Sequence, residues 1–159
     1  MSTADRKRGG ALVGAMAALE GWQSELVMDF RLWCDGPAGQ VRVWNRVARA
    51  LGHGSLRADL EVFERLITTI GTYSYRPLVR RDLACTCICS DEAVFLHLVD
   101  VASEGDLREA SKIASLLVTA SHAEGVALMA AQVGDMAKAV SRAEPSKASR
   151  SDSNVVRLH

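Results

Sequence analysis

Aromatic side chains are scarce in this chain: three Trp, two Tyr and three Phe make up 5% of 159 residues. Strands favour aromatic and β-branched residues, so this poverty, beside abundant Ala and Leu, argues for close helix packing over a β-sandwich. Proline is rarer still, with three copies. Charge of one sign is missing, since 19 basic residues balance 19 acidic ones. A chain that neutralises many phosphates carries a basic excess, so nucleic acid is not the expected partner. No long apolar run is present. The start has no continuous apolar stretch leading to a cleavage site, and the longest helical stretch carries Glu20, Glu25, Asp29 and Arg31, so neither a secretory signal nor a membrane span is expected. The glycine-rich phosphate loops, the nucleophile elbow and the zinc-protease motif are also lacking, and no catalytic residue is assigned.

What is present fits one domain large enough to bury a core. The predicted fold is all-α: about six helices in an irregular bundle, crossed by one extended segment that bears cysteines. Residues 1–10 read as a flexible basic terminus, 11–142 as the helical domain, and 143–159, rich in Ser, Lys and Arg, as a disordered tail.

Periodicity sets the expected elements. A first helix is predicted over Ala11–Trp33, with Leu12, Met16, Leu19, Leu26, Phe30 and Trp33 on its apolar face and Arg31 off it. Asp35-Gly36-Pro37 ends it. A second is expected over Gly39–Leu51 with Val41, Trp44, Val47, Ala48 and Leu51 inward. A third, capped by Ser55, follows to Ile70 with Leu56, Leu60, Phe63, Ile67 and Ile70 as its stripe, and Gly71 closes it. Ser90 is the expected cap of a largely apolar fourth helix, reaching Val101, with Asp91 and Glu92 at the positive end of its dipole. Asp106 with Glu109, and Ser121 with Glu124, start two more. Gly105-Asp106-x-x-x-Ala110 recurs as Gly134-Asp135-x-x-x-Ala139, the joint of a possible helical-hairpin repeat.

The unusual stretch is Leu83–Glu92, which holds Cys85, Cys87 and Cys89 at alternate positions within a long non-helical connection, Thr72–Cys89. Connections of this length in a compact domain usually have a job or pack across it. On an extended strand, alternate side chains share a face. Cys85 and Cys89 would then lie about 13 Å apart, whereas the sulfurs of one zinc site sit within ~4 Å of one another. A straight strand therefore cannot offer all three to one zinc or iron–sulfur centre, and His97 or Cys34 would have to complete the set. The simplest reading is that small apolar thiols fill a tight space, which makes a cofactor unexpected. Redox chemistry is the other option. Cys89 is then the candidate nucleophile, because it precedes the helix start and follows Arg76, Arg80 and Arg81. His97 and Asp100 stand three apart on that helix, where Asp100 can orient the imidazole.

Four thiols without a disulfide framework fit a reducing compartment, so the expected location is cytoplasmic. The expected function is a non-catalytic interaction or regulatory protein that binds a protein partner or a second copy of itself. The expected partner surface is the seam Met129, Val133, Met136 and Val140 on the last helix. The alternative is a metal- or thiol-based sensor built on Cys85, Cys87 and Cys89.

Overall fold

The structure is a computed structural model that describes residues 9–52, 54 and 56–144. Residues 1–8 of the basic terminus, His53, the expected cap Ser55, the side chain of Leu56 and the tail 145–159 lie outside the described residues. Six α-helices are present among those described: α1 Gly21–Cys34, α2 Pro37–Leu51, α3 Leu56–Tyr73, α4 Ser90–Ser103, α5 Leu107–Leu117 and α6 Ala120–Ala143. A two-stranded antiparallel sheet joins β1 Leu12–Ala15 to β2 Cys87–Cys89. The fold is thus an all-α irregular bundle with a short sheet at one edge.

The 24-residue α6 packs against α4, α5 and α3, and touches α1 and α2 as well. Its buried face carries Val126, Ala130, Val133, Ala137 and Val140. Those positions repeat at three and four residues, the spacing of one helical stripe. Small side chains let neighbouring backbones come close. Gly134 shows this best: a Cβ there would overlap the Ser103 side chain and stand 3.1 Å from the Val99 carbonyl oxygen. Gly134 is therefore a contact point inside α6. Gly105, by contrast, has φ +95° and ends α4, after which Asp106 caps α5 by accepting from Glu109 N at 3.0 Å. The apparent repeat of the two Gly-Asp pairs is not a repeated joint.

The first predicted helix is shorter than its periodicity implies. Glu20 and Gln23 form a reciprocal capping box, which starts α1 at Gly21. Upstream, Gly9, Gly10 and Gly14 weaken any helix, and residues 12–15 instead find a strand partner in Cys87–Cys89. The pairs are Leu12 with Cys89, Gly14 with Ile88 and Ala15 with Cys87, with a bulge at Val13. Leu12 therefore lies on an exposed strand. Met16–Ala18 make one 3₁₀ turn, and Met16 N donates to Thr86 O at 2.7 Å.

Helix α2 faces inward differently from expectation. Its buried positions are Gly39, Val43 and Val47, while Val41 (58% exposed) and Trp44 (40%) face outward. Gly39 sits against the Leu32 backbone of α1, which sets the rotation of the whole helix. Val41 lies about 200° around from Val43, so it must then point to solvent. Helix α3 continues through Gly71 to Tyr73, because nothing there requires a left-handed residue. Its stripe includes Leu66, fully buried beside Leu60, Phe63 and Ile70.

Polar ties complement the apolar core. Arg46 of α2 reaches Asp29 and Glu25 of α1 and Glu144 at the end of α6. Asp29 is almost fully buried, and burial lifts its pKa to about 6 even though Arg46 opposes the shift. Residues 73–75 are tied to 117–119 by the Ser74–Val118 bridge and by Thr119 N donating to Tyr73 O at 3.2 Å.

Candidate functional site

The connection from Ser74 to Thr86 is not loose. Two acid–base pairs, one wholly buried and one half-buried, hold it against α1 and α4. Arg31, which periodicity sets off the apolar face, is wholly buried on α1. Its Nε and Nη2 grip both oxygens of Glu92 at 2.7 and 3.0 Å. The remaining donors reach the carbonyls of Asp82 (3.2 Å), Cys85 (2.7 Å) and Cys87 (2.8 Å). Glu92 in turn accepts from Arg81 N at 2.9 Å and Cys89 N at 3.0 Å. A planar five-donor guanidinium suits this task, since it can serve a carboxylate and several carbonyls together. The second pair is Asp91 with Arg76, bidentate at 2.7 and 2.8 Å, and Asp91 also accepts from Val79 N at 2.7 Å. Asp91 and Glu92 thus do more than face a helix dipole: they satisfy the backbone of an extended segment that has few ladder partners.

Local sequence explains the start of α4. Cys89, not Ser90, is its N-cap, and the Glu92 side chain completes a capping box on it. The Cys89 thiol is buried and donates to Val79 O at 3.3 Å. Burial pushes its pKa up. Cys89 is accordingly a poor nucleophile, contrary to the sequence-based choice. Cys85 and Cys87 are half-buried. Cys85 lies in the turn before β2, with Cys85 N donating to Asp82 O at 3.0 Å. The Arg81 guanidinium beside it, the Cys87 N–H and the positive charge of Arg31 lower the Cys85 pKa. Cys85 in turn raises the Arg81 pKa, while the buried Arg81 Nε has no hydrogen-bond partner.

The other expected site residues separate from this cluster. His97 is exposed on α4. Among the described residues, no group of three or more His, Cys, Asp or Glu side chains is placed to hold a metal ion. Cys34 ends α1, half-buried, with its thiol pushed up by burial. The α6 seam is not a surface: Val133, Met136 and Val140 are buried in the core and Met129 is half-buried. Its spacing is that of a partner stripe, but here the partners are helices of the same chain.

Cys85 should therefore lead the thiol reactivity. With limiting iodoacetamide at pH 7, peptide mapping is expected to show Cys85 alkylated at least about tenfold faster than Cys89. Arg81→Met should remove most of that lead. Faster labelling of Cys89 or Cys34 in the folded protein would refute the assignment.

A surface concavity lies elsewhere, between α5 and α6. It encloses about 550 Å³. Ala120, Ala123 and Ala127 line it together with the exposed Leu107 and Leu128. Leu128 is 49% exposed. Arg108 and Lys112 line the α5 side and Glu124 the α6 side. Leu116, one turn beyond Lys112 on α5, is 69% exposed. Composition alone could not have found this groove, since it depends on two helices meeting across the two-residue link Val118–Thr119.

No protein-family model, no curated protein and no solved structure matches this chain. No helix among the described residues is long and apolar enough to cross a membrane.

Proposed function

We propose that this chain is a cytoplasmic interaction protein without catalytic activity, and that the α5–α6 groove receives an amphipathic helix from a protein partner. The observation that carries the reading is the groove itself, lined by alanines and by exposed leucines. Small lining residues allow a third helix to approach closely, and the exposed leucines supply apolar area that a partner would cover. Helix α5 has 11 residues and is about 16 Å long, enough to guide some three turns of a partner. The α5 flank is basic through Arg108 and Lys112. Lys112 bonds Glu109 at 2.9 Å on the surface, a weak pair that a partner carboxylate can replace. The partner helix is thus expected to carry apolar residues at three- and four-residue spacing and acidic residues along one side.

Synthetic 15-residue amphipathic peptides with a Leu/Ala face, flanked by either Glu or Lys, test this by fluorescence anisotropy. The Glu-flanked peptide should bind at least about tenfold tighter, and Leu128→Glu should abolish that preference by repulsion. Equal binding of both peptides would refute the charge assignment. Sedimentation that shows a dimer lost on Leu128→Glu would replace the foreign helix with a second copy.

The Cys85–Arg81 contact favours a second reading, a thiol-based sensor. The two separate cleanly. Replacing Cys85, Cys87 and Cys89 by Ser leaves peptide binding intact under the first reading, whereas loss of binding only on oxidation, and only with the cysteines present, supports the second.

A further inference from the structure

Three cationic side chains of the core-facing segments are matched by carboxylates. Arg31 has Glu92, Arg46 has Asp29, and Arg76 has Asp91. Arg80 is half-buried, yet its one hydrogen-bond partner among the described residues is a neutral carbonyl, Cys34 O, at 3.0 Å from Nη2. Arg80 also lines a cleft of about 280 Å³ between the C-terminal ends of α1 and α3. The walls are apolar: Phe30, Ile67, Ile70 and Leu78, with the Cys34 thiol beside Arg80. An apolar chamber with a single cation that lacks a counter-charge has a definite chemical preference. A neutral apolar guest would leave Arg80 unpaired, an amine would be repelled, and a carboxylate would satisfy the free donors in a bidentate, charge-assisted contact.

We propose that this cleft binds a small apolar monocarboxylate, with its carboxylate on Arg80 and its hydrocarbon body against Phe30, Ile67, Ile70 and Leu78. An apolar cavity of about 150 Å³ accepts a benzene. The volume here suits a guest of roughly ten non-hydrogen atoms on that scale, the size of octanoate. This site is separate from the α5–α6 groove, shares no residue with it, and stands or falls independently of the interaction reading.

Cys34 supplies the readout, since a guest in the cleft would cover its thiol. The rate of its reaction with an aromatic disulfide reagent, resolved by peptide mapping, is measured with octanoate, 4-phenylbutanoate, octanol or octylamine, and Cys85 serves as an internal control. Octanoate is expected to slow Cys34 at least about fivefold and to leave Cys85 unchanged. Octanol and octylamine at the same concentration should have little effect. If 4-phenylbutanoate protects better than octanoate, the guest is an aryl rather than an alkyl acid. Arg80→Met should weaken octanoate binding about tenfold or more, with Arg80→Lys recovering part of it. Gly71→Leu offers a second variant that leaves Arg80 in place. A Cβ at Gly71 meets nothing within 4 Å, so leucine should be accommodated there and obstruct the cleft it lines. Protection by octanol equal to that by octanoate, octanoate binding undiminished in Arg80→Met, or no protection by either acid would overturn the proposal.

Discussion

Replacing Arg31 with methionine is expected to lower stability by about 3–5 kcal/mol, the range for breaking a buried ion pair from one side. Both partners are fully buried, so the mutation leaves the Glu92 carboxylate without its cation and three carbonyls without donors. Glu92→Gln should act in the same direction, because its single amide oxygen can accept from Arg81 N or from Cys89 N but not from both, and its NH2 then faces the other donor. The informative variant is Arg31→Met with Glu92→Met. For an isolated buried pair, two apolar residues of similar volume often restore stability. Here restoration should be poor, because Arg31 also serves Asp82 O, Cys85 O and Cys87 O and Glu92 also serves two backbone N–H groups. Urea unfolding of the three variants measures this, and full recovery in the double mutant would show that the pair is merely a pair.

The same site predicts how stability depends on pH. Burial pushes the Glu92 carboxyl up, but Arg31 and the backbone donors outweigh it and hold it below its ordinary value of 4.5. A depressed carboxyl stabilises the fold above its unfolded pKa, and that contribution is lost as pH falls through the folded value. Asp29 has the opposite sign. Its pKa is raised from 3.8 to about 6, so its contribution is fully present at low pH and is lost as pH rises through about 6. The Asp29 loss begins at its unfolded value of 3.8 and the Glu92 gain is complete above 4.5, so the two together place the greatest stability between pH 3.8 and 4.5. A urea midpoint that rises steadily from pH 5 to 8 would contradict the Asp29 assignment.

The second large effect is expected from one methyl group. Gly39→Ala would place a Cβ far inside van der Waals contact distance of Leu32 O and 2.7 Å from the Leu32 carbonyl carbon. Both atoms belong to the backbone of α1, so no side chain can rotate away and α2 must move as a body. Overpacking a core typically costs ~1–3 kcal/mol, and a rigid backbone obstacle puts this case at the top, about 3 kcal/mol. For a chain of this size that lowers the melting temperature by roughly 6–12 °C. Gly71→Ala is the matched control: it too is helical but faces open space, so it should raise stability by up to ~1 kcal/mol through helix propensity. An equal response at both positions would show that propensity, not the α1–α2 contact, governs Gly39.

Amphipathic periodicity read the helical class and most helix spans correctly because those signals are local. Asp106 with Glu109 marked a helix start, Asp35-Gly36-Pro37 marked a stop, and Leu60, Phe63 and Ile70 marked a buried stripe. These depend on residues a turn or two apart, which interact wherever the chain goes. The cysteine-bearing connection was also legible as a departure from helical pattern.

Tertiary structure alone decided the rest, because the deciding partners are distant along the chain. Leu12–Ala15 carry enough apolar residues for a helix but become a strand, since residues 87–89 offer backbone partners. Arg31 falls off the apolar face of its own helix and is buried because Glu92 and three carbonyls, 51 or more residues away, complete its hydrogen bonds. Trp44 and Val41 fit an inward face until Gly39, by its contact with Leu32, rotates α2. The α6 stripe of Met129, Val133, Met136 and Val140 displayed the right spacing for a contact, but spacing cannot say whether the partner is another molecule or another helix of the same one. Cys85 and Cys89 look equivalent in sequence, and only burial of one sulfur and the approach of Arg81 to the other make them chemically different.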